Sequence, residues 1–159
     1  MGALLTALYV LSATFLHFYP SDSIKISISF IFIVAAAYLY GPVMAMFVGG
    51  IGDFIAWLIH PHGALIIGIT ISYALTGLVF GLFYYNERFT LPRCIITCLT
   101  ETLIIEILLK TLVLSHTYGT PFAAQLILRL PGVAIMMVIM IILTYAFFKF
   151  LKPIFKITK

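Results

Sequence analysis

The sequence predicts an all-α integral-membrane protein, six transmembrane helices forming one domain over residues 1–159, and three observations predict it. The chain is 64% apolar and 9% charged, where soluble domains carry about 25% charged residues. Its mean hydropathy is +1.21, so the bilayer is the solvent in which its folding has to be argued. Six apolar stretches approach the roughly 17–25 residues that a spanning helix needs, and Pro-, Gly- and polar-rich breaks part them. Basic residues collect at one end of the spans. At a usual size of roughly 100–200 residues per domain, no appended soluble catalytic domain fits.

The first stretch, Ala3–Tyr19, has neither a basic leader nor a small-residue cleavage site before Tyr19-Pro20, so it reads as a retained helix. Tyr19-Pro20-Ser21-Asp22-Ser23 reads as a turn, and Ile24–Tyr40 as a short second span ending at the tight break Gly41-Pro42. That shortness is accommodated by tilt or by shelter from neighbouring helices. Pro42–His60 follows, then the loop His60-Pro61-His62-Gly63, then Ala64–Tyr85. The connection from Asn86 to Arg93 is the most polar in the chain. Cys94–Leu114 and Phe122–Leu151 complete the set, parted by Ser115 to Pro121.

Orientation follows from the basic residues, because cytoplasmic loops collect Lys and Arg. Arg88, Arg93, Lys149, Lys152, Lys156 and Lys159 lie on one side; Lys25, Lys110 and Arg129 lie on the other. The larger group is expected in the cytoplasm, which with an even number of spans puts both termini there. His17, His60, His62 and His116 then fall at the outer face. They sit in or beside loops, where imidazole is cheap, so no metal site is expected from them.

Ionisable residues inside a membrane cost at least about 2.5 kcal/mol on insertion scales and mark functional positions. Measured from the outer end of each span at about 1.5 Å per residue, Lys110 lies roughly 6 Å deep, Asp53 and Arg129 roughly 10 Å, Glu106 roughly 12 Å and Glu101 roughly 20 Å. Glu106 and Lys110 stand at i,i+4 with the acid first, the favourable order for an intrahelical pair. Mutual neutralisation and ligand binding both fit them. Asp53 follows Gly49-Gly50-Ile51-Gly52, where a neighbouring backbone or a ligand can come close, and Trp57 lies one turn on. Arg129 precedes Pro131-Gly132, which frees a carbonyl and would bend the sixth helix. An outward-facing pocket holding Lys25, Asp53, Trp57, Glu106, Lys110 and Arg129 would be polar at few points and aromatic elsewhere, as small-molecule sites are. The alternative is a structural Asp53–Arg129 ion pair.

Other chemistries find no support. No G-x-x-x-x-G-K-[ST] loop is present, so the chain does not drive transport with ATP by itself. No nucleophile–base constellation stands out, and an enzyme is not expected. The net charge of +4 is scattered singly rather than along a stripe, which argues against nucleic acid. Cys94 and Cys98 have neither redox nor metal-ligand spacing and read as buried apolar thiols.

From Ile24 to Tyr85 the residues go further. Tyr40-Gly41-Pro42, Val48-Gly49-Gly50-Ile51-Gly52-Asp53, Pro61-x-Gly63-Ala64, Thr70-Ile71-Ser72-Tyr73-Ala74-Leu75-x-Gly77 and Gly81-Leu82-Phe83, in this order and spacing, resemble the substrate-binding S components of energy-coupling factor (ECF) vitamin transporters, the folate family in particular. Tyr118-Gly119-x-Pro121-Phe122 and Arg129 continue the likeness. The resemblance implies a six-helix fold in a prokaryotic cell membrane that binds one vitamin near the extracellular surface. It also implies partners: a transmembrane coupling protein and two cytoplasmic ATPases, which use ATP and Mg, with no cofactor on this chain. The S component of such a complex topples in the membrane to release its cargo inside. In these families a first-helix A-x-x-x-A motif contacts the coupling protein; here it falls on Ala3 and Ala7, with Ala45 and Gly49 as a second patch.

Two departures bear on the cargo. Ala64-Leu65-Ile66-Ile67-Gly68 stands where folate members tend to have an aromatic-proline run, and Leu128-Arg129-Leu130-Pro131-Gly132-Val133 where they tend to have a basic, amide-bearing stretch. Folate comes first, with pyridoxine, hydroxymethylpyrimidine and pantothenate open. Two other classes compete: a stand-alone secondary carrier, which should show inverted repeats that are not evident here, and a ligand-free accessory subunit.

Overall fold

The computed structural model describes residues 2–15, 17–21, 24–59, 67–86 and 90–154, with side chains at 2–15, 28–59, 67–86 and 90–149. α1 (Gly2–Phe15) leads into an antiparallel hairpin of β1 (His17–Ser21) and β2 (Ile24–Ser27), paired His17 to Ser27 and Phe18 to Ile26. Then come α2 (Phe30–Tyr40), α3 (Pro42–Ile59) and α4 (Ile67–Tyr84). α5 (Leu91–Glu101), a π-helical stretch (Thr102–Leu109) and α6 (Lys110–Tyr118) follow one another directly as a single span, and α7 (Phe122–Ile154) is the last. By length and composition α3, α4 and residues 122–149 of α7 can each cross a membrane; α1 and α2 are shorter apolar helices.

The predicted helical spans are present, with two corrections around the first connection. The first span stops at Phe15 and the second starts at Phe30, so Tyr19 and Ile24 stand in strands, not helices. Residues 60–66, which include His60, Pro61 and His62, lie outside the described part, as do Asp22 and Ser23. α7 runs through Pro131-Gly132 without a break.

The spans alternate in direction. A Cβ on Gly2 would touch Met44 and one on Gly41 would touch Tyr85, so the N-terminus, the α2–α3 turn and the end of α4 share one end of the bundle. A Cβ on Gly68 would touch Val113, which brings the start of α4 to α6. The short α2 is the central helix: Ile33, Ala36 and Ala37 are fully buried among α1, α3, α4 and α7. An apolar helix covered all round needs no polar face and no full membrane length of its own. Gly41 ends it at φ +87°, a backbone that side-chain-bearing residues rarely adopt.

The tightest packing joins α3 to α4. A Cβ at Gly77 would lie 2.2 Å from the Ala45 carbonyl oxygen and one at Gly81 would lie 2.1 Å from Pro42 Cα. The Gly77-x-x-x-Gly81 face thus brings two backbones into contact, the way membrane helices gain dispersion where burial gives no hydrophobic advantage. This overturns one expectation: Ala45 and Gly49 are buried inside the chain against α4, where Gly49 faces the Tyr73 carbonyl, and offer nothing to a partner. Ala3 and Ala7 are exposed on α1, beside Leu4, Leu8, Leu11 and Phe15. Hydroxyls within the spans mostly turn back on their own helices, as Thr14 Oγ1 does to the Val10 carbonyl at 2.7 Å and Ser72 Oγ to Gly68 at 2.7 Å. Lipid supplies no alternative partner.

Candidate functional site

The intramembrane charges converge where α4, the fifth span and α7 meet. Buried positions of the fifth span run Cys94, Cys98, Glu101, Ile105 and then jump five residues to Lys110. The π-helical stretch absorbs that extra residue. Its register also sends the Lys110 amide to the Ile105 carbonyl, so the Glu106 carbonyl loses the partner an α-helix would give it. Arg129 Nη1, from α7, donates to that carbonyl at 3.2 Å and to Thr111 Oγ1 at 3.1 Å. Its Nη2 meets Glu106 Oε2 at 3.2 Å. Lys110 donates to Glu106 Oε1 and holds its ammonium 4.0 Å above the Tyr73 ring centre.

Glu106 is therefore shared between two cations, and the trio keeps an excess of one positive charge. Of the two sequence readings, the Glu106–Lys110 pair forms, whereas Arg129 pairs with Glu106 rather than with Asp53. Asp53 lies next door on α3, where its Oδ2 accepts from Thr70 Oγ1 at 3.0 Å. Trp57 is half-buried one turn further along α3. Lys25 stands in β2, a strand that packs against α7, and its side chain lies outside the described part. Below Glu106, Glu101 is 1% exposed and accepts from Thr76 Oγ1 at 3.1 Å.

Sequence reasoning missed the α4 contribution. Thr70, Tyr73 and Thr76 recur every three residues, placing Asp53, Lys110 and Glu101 in turn against one helix. Three polar or amphipathic residues at helical spacing in an apolar span were the available signal. Thr111 was missed as well, since only the π register turns it inward.

Chemically, a net-positive, largely buried cluster flanked by Tyr73 and by a carboxylate–hydroxyl pair suits an anion-bearing ring compound. A family model described as ECF-type riboflavin transporter, S component, matches residues 1–153. The chain is 28% identical over 126 residues to the folate transporter FolT of Clostridium novyi (strain NT), over 79% of this chain and 73% of that one. It also matches the crystal structure of FolT bound with folic acid at a TM-score of 0.82 and 32% identity, covering 91% of this chain and 87% of that one.

Proposed function

The chain belongs to the family of ECF-type riboflavin transporter S components, a multi-pass membrane family of vitamin-binding transporter subunits, and on that premise we propose that its cargo is folate. The observation that carries this is the likeness, over nine-tenths of the chain, to the folic-acid-bound FolT structure. The charged cluster supports it chemically. Folic acid presents two carboxylates, and Arg129 and Lys110 are two cations held by one internal carboxylate. In this reading residues 1–159 act as one substrate-binding domain in a prokaryotic cell membrane. Both termini are cytoplasmic, on the side where Arg93 and Lys149 lie. The ligand enters from the opposite face, toward Asp53, Trp57, Glu106, Lys110 and Arg129, with Lys25 near the mouth. The chain binds and delivers without catalysing a reaction or carrying a cofactor. A transmembrane coupling protein docks on Ala3 and Ala7, and two partner ATPases hydrolyse ATP.

The family description favours riboflavin as a second reading. Riboflavin has no carboxylate and makes no demand on Arg129 or Lys110. Titration of the purified protein with folic acid and with riboflavin, followed by calorimetry, separates the two. Saturable binding of folic acid at one per chain, with riboflavin weak, is expected; riboflavin binding alone reverses the assignment. Binding of neither leaves the ligand-free accessory subunit.

A further inference from the structure

Resting on the folate reading above, we propose that Glu101 reads the ring of the ligand, accepting from two adjacent N–H donors on one edge of the heterocycle, and so sets the choice between folate and flavin. Glu101 was not among the residues expected to touch ligand. It is 1% exposed, and its Oε1 accepts from Thr76 Oγ1 at 3.1 Å while its Oε2 has no hydrogen-bond partner among the described residues. The hydroxyl of the next residue, Thr102, is 4% exposed and equally without a partner among them. A buried acceptor left unmade is costly, and membrane surroundings offer no water in exchange.

The two cations nearby do not fill the need. Lys110 and Arg129 both make their ion pairs with Glu106, five residues further along the span, and Lys110 reaches Glu101 only through space. A carboxylate has about four lone-pair positions, of which Thr76 takes one. Two parallel N–H donors, one to each oxygen, would use two of the three that remain, in the bidentate manner that carboxylates favour. The pteridine ring of folic acid has that edge, a ring N–H beside an amino group. The flavin ring offers one N–H between two carbonyls, whose oxygens would oppose a carboxylate. The position fits the path in: Thr76 lies one turn beyond Tyr73 on α4, so a ring sliding past the Lys110–Tyr73 pair arrives at Thr76 and Glu101.

The test compares folic acid with its analogue in which the 2-amino group is replaced by oxygen, both titrated into the parent, Glu101→Gln and Glu101→Asp. The parent should prefer folic acid by roughly 10- to 100-fold, the range for charged hydrogen bonds lost without replacement. Glu101→Gln should abolish the preference or reverse it toward the oxo analogue, because a carboxamide offers one acceptor and one donor, which match an N–H beside a carbonyl and not two adjacent N–H donors. Glu101→Asp should weaken folic acid yet keep the preference, and it carries the test if the Gln variant does not fold. A Gln variant that keeps the parental preference, or a parent that binds both compounds alike, overturns the role of Glu101 and leaves the folate reading intact. A parent that binds neither overturns both.

Discussion

Replacing Arg129 by Gln should cost the protein stability and folic-acid affinity together, and the two losses can be separated. The guanidinium makes three hydrogen bonds, to the Glu106 carbonyl, Glu106 Oε2 and Thr111 Oγ1, at 3.2, 3.2 and 3.1 Å. Its side chain is 12% exposed and that of Glu106 21%. Removing one partner of a buried pair costs about 3–5 kcal/mol when the remaining charge is stranded. Here Lys110 still compensates Glu106, so the low end applies, about 3 kcal/mol. At about 2–4 °C per kcal/mol for a chain of this size, the melting temperature should fall by roughly 6–12 °C. Cys94 and Cys98, the only two cysteines, are both fully buried. A thiol-reactive dye therefore reports opening of the bundle in detergent. The pair is tested by the cycle with Glu106→Gln: the double variant should lose at least about 1 kcal/mol less than the sum of the singles, as for residues in one network. Additivity to within about 0.5 kcal/mol would refute the coupling. In the folded fraction, folic acid should bind about 2 kcal/mol more weakly or worse, the lower bound for truncating a buried charged partner. Unchanged affinity beside lost stability makes Arg129 a structural residue only.

Gly77→Ala should be far more harmful than Gly119→Ala. At Gly77 the new Cβ meets backbone atoms of Ala45 at 2.2 and 2.4 Å and the helices must part, whereas Gly119 has open space and costs only its left-handed backbone, φ +64°. The latter is about 1–2 kcal/mol, and the same dye melt should rank the two. Ala3→Trp or Ala7→Trp, on the exposed face of α1, should leave folic-acid binding intact and abolish co-purification with the coupling protein; undiminished complex yield moves the interface elsewhere.

The spans were legible because hydropathy registers apolar length, and the i,i+4 order made the Glu106–Lys110 pair legible too. What hydropathy does not register is which regular structure an apolar run adopts. Ile24-Lys25-Ile26-Ser27-Ile28-Ser29 alternates with period two, a strand signal, and the continuation of apolar residues into Phe30 concealed it. Ala45 and Gly49 illustrate a second limit. A small-residue pair predicts close approach without saying to what, and here the approach is to α4 of the same chain. The pairing of Arg129 with Glu106, where an ion pair with Asp53 had been the alternative offered to a ligand, was hidden for a related reason. Depth along a helix was readable, but the direction a side chain takes around it depends on an unbroken 3.6-residue register.

That register is broken at the charged cluster, and the break serves it. Carried on from Cys94, Cys98, Glu101 and Ile105, an α-helix would turn Leu108 and Leu112 inward and leave Lys110 pointing at lipid. A lysine so placed costs at least about 2.5 kcal/mol. With the π-helical stretch, Leu108 and Leu112 are half exposed, at 52% and 50%, and Lys110 is buried at 5%. Leucine loses nothing by facing lipid tails as apolar as itself, so the exchange is favourable on both sides. It also releases the Glu106 carbonyl to Arg129. One extra residue thus turns a lysine and a threonine into the bundle and anchors α7 to the fifth span. π-Helical insertions of this kind are frequent at functional sites. The cluster is therefore built by the backbone as much as by its charges, and a variant that restored α register between Glu101 and Lys110 would dismantle it while leaving every charged residue in the sequence.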